Sequence, residues 1–177
     1  TMRTFAQEKE SGTFEALMTT PVSDLQVVLA KFTGAWLFYT LAWLPLLACL
    51  MVTRHFAQEP LAFDPRVTAT TFLGIVLLGG VFISTGVLAS SLTKSQIVAG
   101  MVSFAAGAGY FVLSFFIYAL PAKAGWQSAV LAHISMFEHM QDFVRGIVDT
   151  RHLVFYLTAI TFFLFLTLKA VESRRWK

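Results

Sequence analysis

The stretch Val67–Thr93, VTATTFLGIVLLGGVFISTGVLASSLT, contains no Asp, Glu, Lys or Arg. A bilayer core about 30 Å thick takes roughly 20 predominantly apolar residues as helix, so this stretch is long enough to cross one. The same holds on either side of it, for Phe32–Thr53 and Ser95–Ala122, which are equally free of charge. A fourth charge-free run, Leu153–Leu168, has only 16 residues. Lys169 can snorkel at one end of it and His152 can sit at the other interface. Charged residues make up 13% of the 177-residue chain and hydrophobic ones 56%, whereas a soluble domain carries about 25% charged residues. The expectation is an all-α polytopic membrane protein. Its transmembrane helices fall over 32–53, 67–92, 96–120 and 152–172, with a terminal segment over 1–31 and a helical segment over 123–151.

The charges left over sit in the loops and set the sidedness. Alternating sides put Arg3, Lys9, Lys31, Lys94, Lys169, Arg174, Arg175 and Lys177 on one face, and Arg54, Arg66, Lys123, Arg145 and Arg151 on the other. The excess of basic residues marks the cytoplasmic side, so the N-terminal segment and the C-terminus are expected in the cytoplasm. The net charge of +3 needs no nucleic-acid partner. Cys49 is the single cysteine, which rules out a disulfide within the chain. No acid or base interrupts the runs, which disfavours an ion-coupled carrier.

Within the spans, Pro45 predicts a kink whose freed carbonyl the neighbours re-satisfy. Small residues crowd the second and third runs. Gly80 and Ser84, Ser103 and Gly107, and Ala105 and Gly109 are each four apart, so each pair shares a helix face and lets backbones approach. That suits packing within the bundle or a seam between two copies. On the outer side, Ser135 with Glu138 makes a capping box. Phe137, Met140, Phe143, Val144 and Ile147 then form an apolar stripe on a short amphipathic helix, with Gly146 placed to loosen or end it. His133, His139, Asp142 and His152 are near one another in sequence, but their spacing matches no standard ligand pattern. His139 and Asp142 read as the wet face of that helix, and no metal site is expected.

The opening segment is of another kind. In Glu8–Asp24, EKESGTFEALMTTPVSD, residues Thr13–Thr20 put Phe14, Leu17 and Met18 on one side of a short helix and Glu15 on another. Pro21 stops that helix, because the residue before a proline is pushed out of the helical region. Ser23 and Gln26 then make a second capping box, from which a helix runs through Leu25, Val28, Leu29 and Lys31 into the membrane. An interfacial anchor would carry Lys and Arg on its polar face. Here Glu8, Glu10 and Glu15 dominate, and acids against an anionic leaflet are unfavourable. A helix that docks on another protein fits better, and the stiff junction would carry a push on it into the bundle.

The residues FAQEKESGTFEALMTTPVSDLQVVLAKF resemble the segment between the second and third spans of ABC-2 type transporter permeases. In that family an acidic-basic run leads to Gly-Thr, here Gly12 and Thr13, then to an acidic-apolar helix and a Pro-Val-Ser turn. The ending HMQDFVRGIVDTRHLVFYL through SRRW is similar to the gliding-motility-associated branch. The resemblance covers nearly the whole chain. It implies a permease subunit of an ATP-driven exporter in the bacterial inner membrane, with a coupling helix within Glu8–Thr20. Glu8, Glu10, Gly12, Thr13, Phe14, Glu15, Leu17, Met18 and Pro21 would form the docking region. It further implies a P-loop ATPase subunit as partner, a second permease chain, and a six-span permease of which an N-terminal pair is missing here.

A search for a nucleotide site agrees with that division of labour. No G-x-x-x-x-G-K-[ST] occurs, and the glycines of LLGGVFISTG lie within a span without a lysine. ATP and Mg would therefore be bound by the partner, with no cofactor and no catalytic residue on this chain. Two alternatives remain. One is an intramembrane enzyme using Ser91 and Lys94, which have S-x-x-K spacing. The other is a non-transporting membrane scaffold.

Overall fold

The computed structural model describes residues 4–12, 22–56, 64–119 and 133–175. They form six helices: α1 (Ala6–Glu10), α2 (Asp24–Phe56), α3 (Pro65–Leu92), α4 (Gln96–Ala119), α5 (Met136–Val144) and α6 (Thr150–Arg175). Among the described residues there is no strand. Four of the helices, α2, α3, α4 and α6, are long and apolar enough to cross a membrane. At 33 residues and about 1.5 Å per residue, α2 reaches roughly 50 Å, well beyond a hydrocarbon core of about 30 Å.

Local signals explain the helix ends. Before α2, the Ser23 hydroxyl accepts from the Gln26 amide at 3.3 Å and the Gln26 side chain accepts from the Ser23 amide at 3.1 Å. This is the expected reciprocal capping box. The helix then continues without a break through Pro45. Asp64 caps α3 by accepting from the Arg66 amide at 2.8 Å, and Pro65 takes the first helical position, where its missing N–H costs nothing. Ser135 caps α5 through the Glu138 amide at 3.4 Å. Gly146, at φ +80°, closes that helix. Its amide donates to the Phe143 carbonyl and that of Ile147 to the Asp142 carbonyl, the two bonds of a Schellman cap.

The centre of the bundle is α3, which packs against α6, α4, α5 and α2. Its composition makes this possible, since Gly79, Gly80, Ser84, Gly86, Ala89, Ser90 and Ser91 are all buried and small side chains let neighbouring helices come close. The missing Cβ of Gly79 leaves room for the Tyr39 ring, and that of Gly80 for Ile160 and the Trp36 indole. The carbonyls one turn below are thereby uncovered. Trp36 Nε1 donates to the Val76 carbonyl at 2.9 Å and the Tyr39 hydroxyl to that of Ile75 at 3.3 Å. In lipid, where no water competes, such cross-helix bonds join helices that apolar contact alone holds weakly. By contrast, α2 and α4 turn large apolar side chains outward. Phe38, Met51, Ile97 and Phe104 are each more than two-thirds exposed or close to it, as lipid-facing residues would be.

A candidate docking end and the buried histidine at the opposite end

Of the residues that sequence assigns to docking, Glu8, Glu10 and Gly12 fall at the end of the bundle where α2 and α4 begin and α3 stops. Phe14, Glu15, Leu17, Met18, Thr13 and Pro21 lie outside the described residues. Glu8 and Glu10 lie on α1, a helix the sequence reading did not foresee, and Gly12 follows it with φ +73°. The helix is seated firmly. Phe5 and Ala6 are fully buried, and their two amide N–H groups donate to the Ser90 hydroxyl oxygen at 3.0 and 2.9 Å. Ser90 belongs to the last turn of α3 and is itself fully buried.

Lys31, in the second turn of α2, closes the arrangement from the other side. Its ammonium donates to the Thr4 carbonyl and to Glu8 Oε1, both at 2.5 Å, and stands 4.9 Å from the centre of the Phe5 ring. The ion pair is largely shielded, with side-chain exposures of 18% for Lys31 and 30% for Glu8, so water screens it less than it would a surface pair. One short helix is thus held to α2 through Lys31 and to α3 through Ser90. The signal for the pairing, an acid at 8 and a base at 31, is visible in the sequence. The buried pocket that receives Phe5 is not, because it depends on how the helix ends meet.

The small-residue positions divide. Gly80 and Ser84 are buried inside the chain, with Gly80 against α6 and α2 as above. Gly107 meets Phe82 of α3, whose Cε1 lies 3.1 Å from where a Cβ would be. The Ser103 hydroxyl donates to the Ala99 carbonyl one turn back at 2.7 Å. Gly109 has open space where a Cβ would stand. Ser91 is buried, and its hydroxyl donates to the Leu88 carbonyl at 2.7 Å. That is a common bond for a helical serine.

At the opposite end, α5 lies across α3 and α4, and here the expected facing of the helix is corrected. His139 is not on the wet face. It is 1% exposed, as buried as Phe143 of the anticipated stripe, while Phe137, Val144 and Ile147 of that stripe are each about half exposed, as residues facing lipid would be. The buried side is Met136, His139 and Phe143. The His139 ring lies against that of His152, centre to centre 4.1 Å, and against Tyr156 at 5.6 Å. His152 pairs with Asp142 at 2.9 Å. Burial, followed by the neighbouring His152 and His133, pushes His139 down to about 4, so it is neutral at pH 7. Among the described residues no group of three or more His, Cys, Asp or Glu is arranged to hold a metal ion. The Phe143 carbonyl accepts from the Thr70 hydroxyl at 2.7 Å, which ties α5 to the first turns of α3.

The geometry is that of a small-residue helical bundle with a charged segment pinned at one end. The family model described as ABC-2 family transporter protein matches residues 1–169. The chain belongs to that family. No curated protein and no solved structure matches it. This ABC-2 family chain is therefore a multi-pass membrane protein of the transporter class, and its match includes the opening segment as well as all four apolar helices.

Proposed function

We propose that the chain is the permease subunit of an ATP-driven ABC-2 transporter in the bacterial inner membrane. ATP would be hydrolysed on a separate P-loop subunit, and two permease chains would form the working unit. The N-terminal segment and C-terminus would face the cytoplasm, in line with the excess of basic residues at that end. Phe14, Glu15, Leu17 and Met18 would form the docking face. Glu10 and Glu8 flank it, the latter also tied to Lys31. The HMQDFVRGIVDTRHLVFYL ending supports placement in the gliding-motility-associated branch.

One observation carries this reading. The segment between α1 and α2 follows a helix that Ser90 and Lys31 seat on the bundle, and it enters α2 through the exposed Ser23–Gln26 capping box. A passive scaffold has no use for a helix fixed in this way just ahead of an acidic-apolar segment. The test is to extract the native complex in mild detergent, capture it by the C-terminus and identify the co-purifying chains by mass spectrometry. A P-loop ATPase in near-equal amount is the expected result. Its absence, both in mild extraction and after crosslinking in the membrane, would overturn the assignment in favour of a scaffold.

A further inference from the structure

We propose that Glu8, Lys31 and Ser90 form a clamp that ties α1 to the start of α2 and the end of α3, so that α1 and α3 move as one body with the start of α2 between them. A push on the segment between α1 and α2 then reaches the central helix directly as well as α2. The proposal rests on the permease reading above and names the positioning residues through which that coupling would run.

The argument starts from which helix a push can move. The docking segment is continuous with α2, so α2 receives any displacement through the covalent chain. Yet α2 is peripheral. Most of its apolar side chains face outward, and only Val28 and Phe32 of its residues are buried. The helix packed most broadly against the other spans is α3. Moving α3 rearranges the bundle, whereas moving α2 alone shifts one contact face. No covalent link of comparable length joins the docking segment to α3, because the chain reaches α3 only after the whole of α2. The clamp supplies the missing link at the near end.

Its construction suits that task. Two consecutive amides, from Phe5 and Ala6, converge on one buried hydroxyl oxygen in the last turn of α3. The Phe5 ring fills the space between them and Lys31, fully buried. Lys31 grips α1 at two points, the Thr4 carbonyl before the helix and the Glu8 carboxylate within it. The contacts thus fix α1 in both position and direction. A single hydrogen bond would act as a pivot, while these four points resist rotation as well as translation. Because packed interfaces shift between discrete arrangements and do not deform smoothly, a clamped α1 passes a displacement on to α3 and does not absorb it.

The experiment uses the full complex with its ATPase, in lipid nanodiscs, in a Cys49→Ser background. Spin labels at Gln7 and Leu92, both exposed, report the distance between α1 and the end of α3 by pulsed electron resonance. It is measured without nucleotide and in the ATP–vanadate-trapped state. In the unmodified clamp the distribution is expected to be single and to stay unshifted on trapping. Lys31→Met and Ser90→Ala are expected to split or broaden it on trapping while the ATPase still co-purifies. Lys31→Arg, which keeps the charge and several donors, is expected to restore the single distance. A merely weakened fold would not show this nucleotide-dependent loss and its recovery. A wild-type distance that shifts on trapping overturns the clamp, since α1 then moves independently of α3. So does a single distance that survives in both Lys31→Met and Ser90→Ala. If no ATPase co-purifies with the wild type, it is the permease reading that has failed, and the clamp's role in coupling falls with it.

Discussion

Trp36 of α2 donates its indole N–H to the carbonyl of Val76 in α3, across the helix face that Gly80 leaves bare. The bond and the bare face depend on each other. Tyr39 repeats the relation one turn on, with the Ile75 carbonyl below Gly79. A methyl group at either glycine tests how closely the helices must approach. At Gly80 the added carbon would stand 2.7 Å from Ile160 Cδ1, the far end of a flexible side chain. At Gly79 it would meet the Tyr39 ring itself, which cannot bend away. Overpacking of this kind costs about 1–3 kcal/mol. Gly79→Ala is expected at the upper end of that range and Gly80→Ala at the lower. Unfolding in mixed micelles would rank the two, and equal losses would show that the Tyr39 contact does not limit the approach.

Gly146 gives a second test, at the joint between α5 and α6. Its φ of +80° belongs to the left-handed region, where a side chain costs about 1–2 kcal/mol. The space is also tight, with Val67 Cγ2 3.3 Å from a would-be Cβ. Gly146→Ala should destabilise by about that amount, and Gly146→Asn by less, since Asn tolerates the conformation better. The loss should appear first as faster amide exchange in α5, whose last turn the Gly146 and Ile147 amides cap.

The seating of α5 should also depend on pH. His139 is neutral and held down to about 4 by burial, with His152 and then His133 adding to the effect and Asp142 opposing it. An exposed histidine titrates near 6.5. Between those values the released helix binds more protons than the seated one, so seating is strongest above about pH 6.5 and weakens as pH falls towards 4. Amide exchange across Met136–Val144 should accelerate over that window. His139→Phe should flatten the dependence, and a slope that persists in that variant would show that His139 does not set it.

These tests separate what the sequence makes plain from what it conceals. The four spans were legible because runs without charge have few other uses, and the Ser23–Gln26 box and the Ser135 cap because their spacing is local. His139 of α5 was misread because it counts as polar in any stripe, yet stacked on His152 and beside Tyr156 it packs as an aromatic ring. Phe5 and Ala6 gave no sign of burial, since the partners that cover them lie 85 and 84 positions away at Ser90. Long-range pairing of helix ends leaves no period to read.

The docking face can be tested without knowing what is transported. Phe14 and Leu17 are two of the three large apolar residues, with Met18, that sequence places on one side of the docking helix. At a protein interface a buried aromatic or aliphatic anchor commonly contributes about 2 kcal/mol or more, which is roughly a thirtyfold change in affinity. Phe14→Asp with Leu17→Asp would set two acids on that face, adding to Glu15 and flanked by Glu8 and Glu10. The expected result is loss of the ATPase from the purified complex, with the melting temperature of the permease unchanged because the clamp and the bundle core are untouched. A lowered melting temperature would instead place both residues in the bundle's own packing. An ATPase that stays bound at wild-type level, hydrolysing and driving transport, would show that docking runs through another surface.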